Sequence, residues 1–316
     1  MDRAINGLWS GVVPGRDEMT GRPDWDAEGR DWPNRAASRF LTVGDLRWHV
    51  QDVGAGPTVL LLHGAGAATH SWRGLMPLLA ERFRVVAPDL PGHGFTATPP
   101  GNGLSLPAMA RRTGALLEAL GTSPALVVGH SAGVAIAVRM ALDGRLGRAP
   151  IVSVNGALQP FAGAVAPLFQ GLALGLFANP LAVRMFAAAA GDKGRVARML
   201  AGTGSQIDDA GVDMYRRLLS KPSHVAGTLG MMASWDLRSL GREFARLESP
   251  LTLVVGGRDQ AVPPSVAAEV AACVAGAETV SLEGLGHLAH EERPDLVADI
   301  VVSVARAHGV LEEAVP

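Results

Sequence analysis

Three residues in this chain are of the types, and in the settings, that nucleophilic catalysis needs: Ser131, Asp259 and His287. Ser131 lies in Ala125-Leu126-Val127-Val128-Gly129-His130-Ser131-Ala132-Gly133, an apolar run that breaks at a Gly-x-Ser-x-Gly pentapeptide before a helical pattern resumes. A serine at the tip of a strand-to-helix turn occupies strained backbone, and glycines two before and two after it let the chain fold that tightly. The turn lifts the hydroxyl clear of its strand, and the positive end of the following helix favours an oxyanion beside it. A serine hydroxyl is still a poor nucleophile until a base takes its proton and a carboxylate holds that base in the right tautomer. Both partners occur downstream, each just past an apolar run. Leu251 to Val255 is followed by Gly256-Gly257-Arg258-Asp259, and Thr279 to Leu282 by Glu283-Gly284-Leu285-Gly286-His287. Taken singly, Asp259 could cap a turn, His287 could be an ordinary loop histidine, and the pentapeptide could be chance in a chain so rich in Gly and Ala. The order serine, acid, histidine, each at the end of an apolar run, predicts a working triad.

The tetrahedral intermediate of acyl transfer also needs donors for its oxyanion, usually the amide after the nucleophile and one from the loop after an earlier strand. Leu62-His63-Gly64-Ala65-Gly66 supplies such a loop, so the backbone N–H groups of Ala65 and Ala132 are the expected donors. His63, and His93 in Asp89-Leu90-Pro91-Gly92-His93-Gly94, are expected to brace their loops rather than react. His290 is expected to point away from the histidine turn. Asn155, which ends the run Ile151 to Val154, is excluded as the acid because it carries no charge. A serine at this position disfavours the alkyl-enzyme routes of dehalogenases and epoxide hydrolases, which need a carboxylate there. One cysteine, Cys273, and scattered histidines do not form a ligand cluster, so neither a metal nor another cofactor is expected.

These residues must be carried by a particular scaffold. Thr58 to Leu62, Arg84 to Ala87, Ala125 to Val128, Ile151 to Val154, Leu251 to Val255 and Thr279 to Leu282 are short continuous apolar runs, as in parallel strands covered on both faces. Arg39 to Val43 and Leu46 to Val50 alternate about Gly44-Asp45 and predict a β-hairpin. Helical faces occur between the runs: Trp72, Leu75, Met76 and Leu79; Met109, Leu116, Leu117 and Leu120, with Gly121 ending that helix; and Leu296, Ile300, Val301 and Val304 after Pro294. The alternation predicts an α/β fold, a mostly parallel doubly wound sheet led by an antiparallel hairpin. It is interrupted over 157–235, which is expected to form an inserted helical cap over the carboxyl edge of the sheet, where open α/β sheets bind ligands. Residues 41–156 and 236–316 would then be the core, and 1–40 an irregular arm docked through Trp9, Trp25 and Trp32.

Composition narrows the function classes. The formal net charge of −2 over 316 residues leaves no basic footprint for nucleic acid. A lone cysteine excludes an internal disulfide, and the first residues lack a signal-peptide pattern, so a cytoplasmic location is expected. Asn155 to Val183 carries no charged side chain, a length that could cross a bilayer, but Gln159, Pro160, Pro167, Gln170, Asn179 and Pro180 suit a buried or lid-like segment with at most peripheral membrane contact.

His63-Gly64-Ala65-Gly66, Asp89-Leu90-Pro91-Gly92-His93-Gly94, Gly129-His130-Ser131-Ala132-Gly133, Gly257-Arg258-Asp259 and Gly286-His287 with Glu292 and Pro294 resemble the α/β-hydrolase superfamily over residues about 40 to 310. Asp31-Trp32-Pro33-Asn34-Arg35, Leu46-Arg47-Trp48-His49-Val50 and Gly66-Ala67-Ala68-Thr69-His70-Ser71-Trp72-Arg73 are similar to the magnesium-chelatase accessory proteins of bacteriochlorophyll biosynthesis. That resemblance implies a role near magnesium insertion into a porphyrin, with chelatase subunits as partners. The chain has no Gly-x-x-x-x-Gly-Lys-Ser/Thr phosphate loop, so it is not the ATP-driven motor. An apolar cap suits a flat hydrophobic small molecule, and Arg195, Arg198, Arg216 or Arg217 could meet propionates or simply form a solvated helix face. Three functions follow: a serine hydrolase, a non-catalytic protein that binds and presents a porphyrin, and a generic carboxylesterase.

Overall fold

A computed structural model describes residues 21–160 and 179–312. The strands are β1 (Ser38–Val43), β2 (Leu46–Val53), β3 (Thr58–Leu62), β4 (Arg84–Pro88), β5 (Leu126–His130), β6 (Ile151–Val154), β7 (Leu251–Gly256) and β8 (Glu278–Leu282). They form one sheet in the order β1-β2-β4-β3-β5-β6-β7-β8. The pairs β1·β2 and β2·β4 are antiparallel and all the others parallel. The predicted hairpin and all six apolar runs are strands of this sheet, so the doubly wound α/β fold is the observed one.

The apolar runs of β3 to β7 are continuous because both faces of the sheet are covered there. Strand β8, at the edge of the sheet, is largely exposed, so the expected covering of both faces does not hold for Thr279 to Leu282. Successive side chains of β3 face opposite ways: Leu60 and Leu62 enter one core with Trp48, Val127 and Ile136, and Val59 and Leu61 enter the other with Val85, Val128 and Val254. Helices α1 (Leu75–Ala80), α2 (Leu106–Ala119) and α3 (Ala132–Leu142) belong to the first half of the chain. Met109 of α2 and Ile136 of α3 fill the first core, and Leu75, Met76 and Leu79 of α1 fill the second. The face from Trp72 to Leu79 is not one helix: Thr69–Trp72 is a 3-10 turn, and Gly74 separates it from α1.

Between β6 and β7 the described chain runs through α4 (Pro180–Ala189), α5 (Lys193–Ala201), α6 (Asp209–Leu219), α7 (Pro222–Ser234) and α8 (Leu237–Gly241). Most of the uncharged stretch from Asn155 to Val183 lies outside the described residues. Among the described residues no helix is long and apolar enough to cross a membrane. Helices α9 (Ser265–Ala271), α10 (Ala289–Glu292) and α11 (Pro294–Ala307) complete the chain. Val297 and Val301 of α11 pack against the second core.

The arm preceding β1 is tied to both the sheet and the helices after β6. Trp32 is buried and its Nε1–H donates to Thr69 Oγ1 at 3.0 Å, and Trp25 packs edge-on against Phe40 and Phe95. Asp31 pairs with Arg217 of α6 at 2.7 Å and Glu28 with Lys221. Trp9 lies outside the described residues.

Asp89, one residue past β4, is fully buried. Its carboxylate accepts the Thr69 N–H at 2.7 Å, the Phe95 N–H at 2.9 Å and the His49 Nδ1–H at 2.8 Å. Burial opposes its ionisation, yet the His49 ring, with the Phe95 amide, holds its pKa well below the usual 3.8. A carboxylate lowered in the folded state contributes stability that is fully present above its unfolded value and is lost progressively as pH falls from there through the lower folded value. Urea unfolding at a series of pH values should therefore show wild-type stability dropping below about pH 4. Asp89→Asn should be less stable by about 3 kcal/mol at pH 7 and should lack that share of the drop; an unchanged acid slope in the variant would assign the acid loss to other groups.

Candidate active site

Ser131, Asn155, Asp259 and His287 follow β5, β6, β7 and β8, four strands that are neighbours in the sheet. Parallel pairing puts their carboxyl ends on one edge, so residues far apart in sequence arrive side by side.

Ser131 is the N-cap of α3 and has φ 48° and ψ −115°, a left-handed backbone in a non-glycine residue. The flanking glycines are required by close approach. A Cβ on Gly133 would lie 2.0 Å from the Leu62 carbonyl oxygen, and one on Gly129 would lie 2.8 Å from the Val134 backbone nitrogen. The backbone of Ser131 is satisfied despite the strain: its N–H donates to Val154 O at 3.0 Å, and its carbonyl accepts Val134 N–H and Ala157 N–H at 3.1 Å each.

Asp259 and His287 are both buried, and the ring Nδ1–H donates to Asp259 Oδ2 at 2.8 Å. The other carboxylate oxygen, Oδ1, accepts the N–H groups of Ala261 and Val262 at 2.8 Å each. The histidine turn is braced by Glu292, whose Oε1 accepts the Gly286 N–H at 2.8 Å. The serine and histidine turns are joined through His130, whose Nε2–H donates to the His287 carbonyl at 2.9 Å. Among the described residues no hydrogen bond links Ser131 Oγ itself to the His287 ring.

The loop after β3 lies directly beside the serine, because a Cβ on Gly64 would sit 3.1 Å from Ser131 Cβ and 2.7 Å from His130 Nδ1. Ala65 is exposed at its tip, and Ala132 is the first residue of α3, where an amide has no partner within the helix. His63 Nε2 accepts the Leu90 N–H at 2.9 Å, so its proton is on Nδ1, which donates to Gly64 O at 2.8 Å. Burial lowers the pKa of His63, His93 and His130, leaving these rings neutral.

Asn155 was excluded from the sequence as an acid, but its side chain is part of the constellation. It is buried in left-handed backbone (φ 48°), and its Nδ2 donates to Asp259 Oδ2 at 2.5 Å, the same oxygen that receives the histidine. His290 does not point away from the site as expected. Its ring is fully buried, lies 4.3 Å from that of His130 and bonds Ser71 Oγ at 2.8 Å. Arg216 and Arg217 bond Asp213, and Arg217 also bonds Asp31, so both guanidiniums already face carboxylates. Arg195 and Arg198 are exposed. Among the described residues no cluster of His, Cys, Asp and Glu could hold a metal ion.

The family model for the alpha/beta hydrolase fold matches residues 57–294, and the chain belongs to that family. The magnesium-chelatase 30 kDa subunit of Rhodobacter capsulatus is 39% identical over 274 residues, covering 86% of this chain and 95% of that protein. An alpha/beta hydrolase fold protein from Burkholderia ambifaria superposes with a TM-score of 0.70 at 22% identity, covering 84% of this chain and 99% of that one. An epoxide hydrolase solved without ligand has a TM-score of 0.72 at 23% identity, covering 85% of this chain and 98% of that one. At these identities the two structures show a shared fold alone.

The glycine contacts give a direct test of the turn. Gly133→Ala should lower folding stability by about 2–3 kcal/mol in chemical denaturation, because neither Leu62 O nor the α3 backbone can give way. Gly121→Ala, in open space past α2 but at φ 62°, should cost about 1 kcal/mol. Equal small effects would show that β3 and α3 do not approach as closely as described.

Proposed function

We propose that this protein is a serine hydrolase that acts on an ester-type bond of a bulky hydrophobic, porphyrin-like molecule, in support of magnesium chelation in bacteriochlorophyll biosynthesis. The observation that carries the catalytic half is the buried 2.8 Å bond from His287 to Asp259 on the same sheet edge as the left-handed Ser131 turn, whose His130 ring bonds the His287 carbonyl. In this reading Ser131 Oγ attacks the acyl carbon while His287 Nε2 takes its proton, and Asp259 holds the imidazolium through Nδ1–H. The Ala65 and Ala132 N–H groups take the oxyanion. Collapse of the intermediate breaks the ester bond, His287 returns the proton to the leaving alcohol, and water then releases the acyl group from Ser131 by the same steps in reverse. The serine-to-histidine bond absent from the free protein would form as substrate closes the site. The cap over 157–235, in this reading, supplies the apolar walls.

The pathway half rests on the 39% identity with the magnesium-chelatase 30 kDa subunit, which also supports association with chelatase subunits. The same identity favours a second function, a protein that binds and presents a porphyrin without turnover.

A fluorophosphonate probe should label the purified protein on Ser131, and Ser131→Ala or His287→Ala should abolish labelling. Asp259→Asn should slow labelling by about 10³-fold or more, through the wrong tautomer of His287. Absence of labelling in well-folded wild-type protein would remove the hydrolase reading. In cells, replacing the native gene with Ser131→Ala should reduce bacteriochlorophyll if catalysis is the role; full pigment with that variant, and loss of pigment on deletion, would favour presentation.

A further inference from the structure

His224, on α7, touches both the loop after β3 and the loop after β4. Its Nδ1 accepts the Gly94 N–H at 2.9 Å, so the proton of the neutral ring is on Nε2, which donates to Gly66 O at 3.0 Å. The ring is fully buried, and burial pushes its pKa down to about 4, which keeps both an acceptor and a donor in place at neutral pH. Its position is fixed by edge-on packing against the His93 ring and by close backbone contact of its helix. Gly227, one turn further along the same face of α7, lies so close to the 91–94 turn that a Cβ there would be 1.9 Å from Gly92 O.

The two carbonyls held by histidines bracket Ala65. Gly66 O shares a trans peptide plane with the Ala67 N–H, which points the opposite way and donates to Gly64 O at 3.2 Å. Residues Gly64 to Ala67 therefore form a tight turn, with Gly66 at φ 73° in its third position. Gly64 O accepts the Ala67 N–H and the His63 Nδ1–H together, and its own peptide plane carries the Ala65 N–H on the opposite side. Two rings, one from the end of β3 and one from α7, thus orient the two peptide planes that decide where the Ala65 N–H points.

We infer that His224 is a positioning residue for the oxyanion donor at Ala65, so that helix α7 of the insertion is a built-in part of the reaction centre. This rests on the proposal that Ser131 is the nucleophile. His224 touches no reacting atom and acts through the Gly66 carbonyl.

The test uses the full-length chain with p-nitrophenyl butyrate as substrate and a phenylalkyl boronic acid as the tetrahedral analogue. His224→Leu should lower kcat by about 10- to 100-fold, short of the full loss of an oxyanion donor, with KM changed by less than about 3-fold. Boronate affinity should fall by a factor similar to that in kcat. His224→Gln, which offers one donor and one acceptor, should recover most of both. A kcat within 3-fold of wild type for His224→Leu, a loss confined to KM, or a glutamine variant no better than leucine would overturn the proposal. Nitrogen-15 spectra of wild-type His224 at pH 7 keep the test valid if His224→Leu does not fold. An Nε2–H tautomer supports the arrangement, and an Nδ1–H tautomer or an imidazolium contradicts it. If wild-type protein neither turns over the ester nor takes the boronate, Ser131 as nucleophile fails, and the spectra still decide the His224 geometry.

Discussion

A left-handed backbone at one serine sets the terms for the rest of this molecule. Holding a non-glycine residue at φ 48° costs on the order of 1–3 kcal/mol, and it persists only where the surroundings leave no other conformation. Here β5 is fixed by parallel pairing on both sides, by β3 and by β6. Helix α3 then starts with its backbone against the Leu62 carbonyl, a contact that only Gly133 permits. The serine N–H and carbonyl are both bonded, so the strain does not also carry the cost of unpaired polar groups. What the turn gains is direction: the side chain leaves the sheet at its carboxyl edge, beside the loop after β3 and on the same edge as the turns after β6, β7 and β8.

The helices between β6 and β7 meet that edge through bare backbone. Gly204 lies against Arg258 O and Gly286, where Cβ atoms would fall within 1.9 to 2.4 Å of their neighbours, and the Thr203 carbonyl accepts the N–H groups of Gln260 at 3.1 Å and His287 at 3.3 Å. Ser205 Oγ accepts the Leu288 N–H at 2.8 Å. The turn after α5 thus grips the acid and histidine turns together, while α7 grips the two loops on the other side through His224 and Gly227. The backbone contacts among these, at Gly204, Gly227 and the Thr203 carbonyl, have no rotamers to relax into, which makes them stiff. The arm before β1 ties α6 to the sheet as well, through Asp31 and Arg217.

Much of this was legible from residue order. Strands β3 to β7 were visible because burial on both faces demands unbroken apolar runs. Ser131, Asp259 and His287 were visible because each sits where such a run ends. The structure brings Asp259 and His287 into hydrogen-bond contact and places Ser131 on the same sheet edge, two strands from Asp259; their catalytic roles stand as the proposal above. Asn155 was passed over because a missing charge was weighed and a spare N–H was not. His224 carried no local signal at all: Pro222-Ser223-His224 reads as an ordinary helix start, and only the fold brings it 130 positions back to Gly94. His290 was misjudged in direction because a short helix intervenes before Pro294. Arg216 and Arg217 read equally well as ligand-binding or solvated, and the carboxylates that occupy them come from one turn of their own helix and from the distant arm.

The central claim is that His287, oriented by Asp259, takes the proton of Ser131 so that an acyl group can be transferred to it. Rapid mixing with an activated ester, acid quenching and intact-mass measurement tests this most directly. The account predicts a single acyl adduct on the peptide carrying Ser131, formed in a burst by wild-type protein and missing from His287→Ala. A folded wild-type protein with no adduct, or an adduct that forms equally fast without the imidazole, would contradict it.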